Sequence, residues 1–177
     1  MEAILAPGVS LQEFRDAFSA VPTPVSVVTA IKDGKPHGTT ISAFCSLSAE
    51  PPLVMLGLER SSDLLRLIRE TRRFGVNVLS VGQEQIALTC ARKGPDKFAD
   101  IPWHYDNDLP RIEDAASWLA CRLEAELPGG DHVIVVGLIT TCEAGTRTPL
   151  VYLRRQFHHP ESETQPSLDG HAKPKPG

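Results

Sequence analysis

The stretch HGTTISAFCSLSAEPP, residues 37–52, carries no charge between Gly38 and Ala49 and is crowded with small hydroxyls. Read as a strand, it puts Thr39, Ile41, Ala43, Cys45 and Leu47 on one face and Thr40, Ser42, Phe44, Ser46 and Ser48 on the other. The first face is mostly apolar and is the expected core face. A strand face that merely meets water usually includes Lys, Glu or Arg. Short hydroxyls around one aromatic ring instead suit close approach by a second backbone, a subunit, or a ligand whose oxygens and nitrogens take up the hydrogen bonds.

A place for an anion lies a few residues on. Neither G-x-G-x-x-G nor G-x-x-x-x-G-K-[ST] occurs, so the two common glycine-loop phosphate sites are missing. In ERSSDLL, residues 59–65, Ser61 or Ser62 is expected to cap a helix whose first N–H groups can face an anion, with Arg60 beside them. An ordinary cap needs only one serine, and that alternative stays open. The run LVMLGL, 53–58, joins the two segments directly. A ligand with a polar planar ring and a phosphate tail can therefore lie along the hydroxyl face and end at the helix start.

Lys93, Lys97 and Phe98 put two cations and a ring on a long polar segment, which reads either as a lid over an anion or as a solvated loop. Asp131-His132 follows a Pro-Gly-Gly turn at a hairpin mouth, where a histidine is commonly a solvated turn residue. His158-His159 is expected on the surface. No His/Asp/Glu spacing compels a metal site, and no G-x-S-x-G elbow supports hydrolysis.

These residues need elements to hold them. Ser10 with Glu13 forms a capping-box pattern before Leu11, Phe14 and Phe18 at helical spacing, which predicts a short amphipathic helix. An Asp-Gly turn between two strand-like runs predicts a hairpin of 25–31 with 36–47. Pro51-Pro52 should break the ladder before the strand 53–58. A helix to about Arg69, a strand at 73–79 and a helix at 83–92 follow. Residues 93–110 are polar, Pro-rich and aperiodic, a loop of lid length. A second hairpin joins 116–127, with Leu119, Cys121, Leu123, Ala125 and Leu127 on one side, to the β-branched run 132–141. A last strand spans 150–154, and the polar, Pro-rich 161–177 is expected to be a disordered tail beyond a single domain of 1–160. Six or more strands with hairpin connections and few helices point to a mainly β, closed or nearly closed antiparallel barrel.

The chain has 177 residues and a net charge of −4, with no long basic run, which argues against a nucleic-acid partner. No apolar run approaches the roughly 20 residues that span a bilayer, and no signal segment is seen, so a soluble cytoplasmic protein is expected. Cys45, Cys90, Cys121 and Cys142 form no C-x-x-C pair, and buried free thiols are expected, with one bridge left open.

An ordered series of motifs resembles a known family. FRDAFSAVPTPVSVVTA, HGTTISAFCSLSAEPPLVMLGL, RFGVNVLS, KGPDKFADI, GGDHVIVVG and PLVYLRRQF, spread over roughly residues 11–160, are similar to the short-chain flavin reductases, the reductase components of two-component flavin-dependent monooxygenases. The resemblance implies an FMN-binding split β-barrel and hydride transfer from nicotinamide C4 to flavin N5. It implies FAD or FMN as flavin, NADH as the commoner donor with NADPH open, a monooxygenase partner, and a homodimer with its site near the subunit interface. Carried over residue by residue, His37, Gly38, Thr39, Thr40, Ser42 and Ala43 meet the ring and ribityl chain. Gly57, Leu58 and Glu59 line the wall, Ser61 and Ser62 receive the phosphate, and Lys93 and Phe98 lie near the cofactor. Asp131 and His132 fall beside the nicotinamide. No side chain is implied as a catalytic acid or base, since the chemistry belongs to the cofactors.

Three departures stand out. Pro24 replaces a usual Gly, Leu64 stands where a hydroxyl is common, and Phe157 replaces a common Tyr. A second reading is a flavin- or haem-binding split barrel without turnover.

Overall fold

The computed structural model describes residues 8–94 and 96–160; the expected disordered tail, 161–177, lies outside them. The chain opens with α1 (Leu11–Ser19), then β1 (Thr23–Pro24), β2 (Ser26–Lys32), β3 (Lys35–Ile41), β4 (Phe44–Ala49) and β5 (Pro52–Glu59). Next come α2 (Asp63–Thr71), β6 (Arg73–Val78), α3 (Glu84–Ala91), β7 (Trp103–Asp106) and β8 (Leu109–Ile112). Two long strands, β9 (Ser117–Gly129) and β10 (His132–Ala144), precede the short β11 (Val151–Leu153) and β12 (Gln156–His158). Seven strands make one antiparallel sheet in the order β3-β2-β6-β9-β10-β5-β4.

The sheet closes because of one short connection. Residues 36–47, expected as a single strand, are two strands: β3 ends at Ile41, the chain bends at Ser42, and β4 pairs with β5 at the far edge of the sheet. Ser42 and Ala43 alone tie the two edges together, and only a curled sheet brings its edges that close. At this seam the Ala43 carbonyl accepts a 2.9 Å hydrogen bond from Gly57 N–H. The bend also ends the alternation read from the sequence. Of the expected core face, Ile41 is buried and Thr39 half-buried, whereas Ala43, Cys45 and Leu47 are exposed. β4 is the last strand of the sheet, and only Phe44 and Ser48 on it are even half-buried. The break expected at Pro51-Pro52 is the tight Glu50-Pro51 turn of the β4–β5 hairpin, with a cis Glu50–Pro51 peptide, and Pro52 already begins β5 opposite Ala49.

The β-branched run in β2 reflects burial on both faces. Val28 and Ala30 point into the barrel with Val54, Leu56, Phe74, Val76 and Val135, and Val25 and Val27 point outward into a second core with Leu79, Ala87, Cys90, Phe98 and Ile112. Helix α2 belongs to the barrel core: Leu64, Leu65, Leu67 and Ile68 are all buried, and Arg72 in a left-handed conformation ends the helix with its N–H on the Ile68 carbonyl at 2.8 Å. Part of the expected loop 93–110 is structured. Its second half forms the β7–β8 hairpin, whose Leu109 packs on Trp118 and Ala120 of β9. In β9, burial on both faces before a bulge opposite Val136/Gly137 replaces the simple alternation expected. Beyond the last expected strand the chain turns back as β12, so His158 pairs with Val151.

All four cysteines are free, but only Cys90 and Cys121 are buried; Cys45 and Cys142 are exposed, because β4 and the end of β10 lie at the margins of the sheet. Burial pushes the Cys90 thiol up to about 11 and the Cys121 thiol up to about 12. Two thiols per chain should react with a disulfide reagent in the native protein and all four after denaturation; more than two native thiols would contradict the burial of Cys90 and Cys121. Gly75 of β6 lies under the Trp118 ring, and a Cβ there would overlap the ring and come 2.6 Å from Thr29 Oγ1. Gly75→Ala should therefore lower unfolding free energy by about 2–3 kcal/mol in urea titration.

Candidate functional site

A trough of about 720 Å³ runs along the barrel seam. One wall is β3 and the bend, His37 to Ala43. The opposite wall is the end of β5, Gly57 to Glu59, and the floor continues to Ser61 and Ser62 at the start of α2. The segment after α3 closes the remaining side with Arg92, Lys93, Lys97 and Phe98. His132, the first residue of β10, joins the lining beside Gly57 because it pairs with Glu59 across the β5–β10 ladder.

The hydroxyls of the seam divide by what they already bond. Thr40 Oγ1 donates 2.7 Å to the Ala87 carbonyl of α3, so it anchors that helix to β3 before it serves any ligand. The Thr39, Ser42 and Ser61 hydroxyls have no hydrogen-bond partner among the described residues. Ser62 is the N-cap of α2, and its Oγ accepts from Leu65 N–H at 3.4 Å. Gly57 is required by the approach of β5 to the bend: a Cβ there would lie 3.2 Å from the Ala43 Cβ. Ser46 and Ser48 lie on β4, away from these walls.

Around the α2 start and the segment after α3 the trough lining of this chain, acidic overall, gathers Arg66, Arg92, Lys93 and Lys97 with Asp63 and Asp96. Arg66 is 3.1 Å from Asp63, its neighbour on the first turns of α2. Lys93 is exposed, whereas the half-buried Lys97 places Nζ 3.1 Å from the Gly38 carbonyl and 2.9 Å from the Cys90 carbonyl. Burial lowers the Lys97 ammonium from its ordinary pKa. Phe98 turns its ring under β3 into the outer core.

His132 Nδ1 lies 2.8 Å from Asp131 Oδ1, and this hydrogen bond holds the Asp131 carboxyl below the usual carboxylate range. With Nδ1–H donating to the carboxylate, Nε2 is left as an acceptor. Asp131 therefore orients the imidazole instead of lining the trough.

All thirteen residues expected against the flavin, and His132, line this one trough, and Asp131 does not; the reason is topological, since the two edges of the sheet and the start of α2 meet there. Arg66 and Arg92 were not among the expected site residues, and Lys97 was expected only as one of two cations on a lid or a solvated loop. Arg66 was within reach of helical periodicity, three residues after Asp63, whereas Lys97 is distinguished from Lys93 only by contacts with β3 and α3. Of the departures, Leu64 is buried in the barrel core and reaches the trough lining with an apolar side chain, so it brings no hydrogen bond there. Pro24 and Phe157 line a separate groove of about 230 Å³ that adjoins the trough at Thr40–Ser42.

The residues fit a flavin. The walls from His37 to Ala43 bear unpartnered hydroxyls and no Lys, Arg, Asp or Glu, a glycine at 57 admits close approach, and cations collect at one end. Barrel and trough together define a split-barrel protein built to hold a flat polar ring with an anionic tail. The chain belongs to the flavin reductase like domain family, whose model matches residues 18–161. It is 40% identical over 147 residues to the reductase component of 4-nitrophenol 4-monooxygenase/4-nitrocatechol 2-monooxygenase of Rhodococcus opacus, covering 83% of this chain and 80% of that one. It is 38% identical over 162 residues to flavin reductase (NADH) of Kitasatospora aureofaciens, covering 86% and 84%. Among solved structures, the NADH:FAD oxidoreductase SgcE6 of Streptomyces globisporus C-1027, in complex with NAD and FAD fragments, superposes with a TM-score of 0.84 at 28% identity, covering 90% of this chain and 100% of that one. The chain spans about half the length of a probable flavin reductase of Rhizobium meliloti to which it is 38% identical.

Ser62→Ala should cost about 0.5–1 kcal/mol of stability in the absence of any flavin, because it removes the α2 cap. Ser61→Ala should stay within about 0.5 kcal/mol of the parent, and urea midpoints of the two variants check the difference.

Proposed function

We propose that the protein is an NADH-dependent flavin reductase that binds FAD or FMN in the seam trough and releases reduced flavin to a separate monooxygenase. A flavin bound there accepts hydride at N5 from C4 of the reduced nicotinamide. The observation that carries this reading is the uncharged wall His37–Ala43 and Gly57 lining one trough together with Arg66, Arg92, Lys93, Lys97 and His132. Main-chain groups and the hydroxyls of Thr39 and Ser42 orient the ring. The α2 start, with Ser61, Ser62 and Arg66, receives the phosphate. His132, steadied by Asp131, positions the nicotinamide through its ring edge. Short neutral groups along the ring wall suit a flavin that must leave after reduction.

The exposed apolar face of α1 supports a homodimer. Leu11, Phe14 and Phe18 are 57%, 51% and 60% exposed, and nothing on that amphipathic helix is buried within the chain. A second copy of the chain covers this face. No helix of the described residues is long and apolar enough to cross a membrane, and the reading places the enzyme in the cytoplasm with its nicotinamide supply.

Purified protein mixed with NADH and free FMN or FAD should lose absorbance near 340 nm, and no oxidation of NADH or NADPH with either flavin would sink the reading. His132→Ala should raise KM for the nicotinamide by about tenfold and leave KM for flavin within about twofold. The opposite pattern in steady-state kinetics would move His132 to the flavin side.

A further inference from the structure

We propose that Lys97 is a positioning residue for the flavin, a clip that holds the β3 wall of the trough in place; this rests on the reading of the trough as the flavin site. Among the described residues its ammonium hydrogen-bonds to main chain only. One proton is donated to the Gly38 carbonyl at 3.1 Å and another to the Cys90 carbonyl at 2.9 Å. The Cys90 carbonyl belongs to the last turn of α3, where carbonyls lack helical partners and the helix dipole is negative, and that turn carries no basic residue of its own. Lys97 therefore supplies the missing cation from the following segment and fastens it to β3 in the same step.

The next residue works from the other side. Phe98 is 6% exposed, packs in the outer core and meets Trp103 edge-to-face with centroids 6.3 Å apart. Its ring edge lies so close to Gly38 that an added Cβ would stand 2.8 Å from Phe98 Cε2. Gly38 is thus gripped twice, at its carbonyl by Lys97 and at its Cα by Phe98. Thr39 and Thr40 follow at once in the wall, and Arg92 and Lys93 at the trough rim sit on the segment being clipped. A lysine held at both ends of its reach gives up rotamer freedom that a solvated lysine keeps, so the arrangement is stable only because burial and two carbonyls hold it.

The clip predicts a set of linked effects. In Lys97→Met, cleavage by trypsin after the exposed Arg92 and Lys93 should accelerate several-fold without any ligand. Quenching of FMN fluorescence should show Kd raised about tenfold, and KM for NADH should stay within about twofold. Lys97→Arg keeps a cation with several donors and should restore most of both effects. Gly38→Ala, which pushes on Phe98 and leaves the ammonium in place, should weaken FMN binding in the same way even if Lys97→Met does not fold. Parental trypsin rates in Lys97→Met overturn the clip, as does parental FMN affinity in Gly38→Ala. A parallel rise in the NADH and FMN constants with a lowered melting temperature would reduce Lys97 to general stability. Absence of FMN binding by the parent protein would reject the trough assignment, and the trypsin comparison alone would then decide the clip.

Discussion

The two edges of a seven-stranded sheet are tied by two residues, Ser42 and Ala43. A trans peptide chain of that length reaches only a few ångströms per residue, so β3 and the β4–β5 hairpin must come together. The barrel, its seam and the position of the trough all follow from this tether. The Gly57 N–H bond to the Ala43 carbonyl fastens the seam, and the absence of a side chain at Gly57 lets the strands approach. The remainder of the fold is arranged to support that closure: α2 fills the barrel with Leu64, Leu65, Leu67 and Ile68, and α3 with Phe98 backs the outer face of β2 and β3.

A site at a seam differs from one at the end of a helix bundle or in a glycine loop. Its walls are strand ends and a bend, so unpaired main-chain groups and short hydroxyls are available without any charged side chain having to be buried. Charge is absent from the His37–Ala43 wall except for what a histidine can carry. Elsewhere in the lining Glu59 ends β5, the α2 start and the segment after α3 bring Arg66, Arg92, Lys93 and Lys97 with Asp63 and Asp96, and Asp131 steadies His132 from outside the lining. The arrangement suits a reaction whose bond making belongs to two cofactors and whose protein must hold them face to face without gripping either permanently. Membership of the flavin reductase like domain family agrees with that division of labour.

Much of the fold was legible along the chain because hairpin signals are local. The Asp-Gly turn between β2 and β3, the Pro-Gly-Gly turn before β10 and the capping box of α1 are each read over a few residues, and each appears in the structure. The reading failed where a neighbour in space decided. The alternation through 37–48 gave no warning of the bend at Ser42, because small residues of that kind suit both a strand and a crossing. The β7–β8 hairpin hides in a polar segment because its packing partner, Trp118, lies on β9. Cys45 and Cys142 sit in apolar runs yet face outward, since exposure depends on what the sheet margin has beside it.

The sequence by itself determined the β-rich class, the short helices, the uncharged stretch 38–49 and a serine cap at 61 or 62, because periodicity and caps depend on near neighbours alone. Only the tertiary structure decided that this stretch is two strands on opposite edges, that Thr40 is engaged with α3, that Asp131 serves His132, and that Lys97 instead of Lys93 is bound to β3. Each of those depends on a contact between residues far apart in the chain. Such contacts are set by barrel closure, which no local pattern encodes.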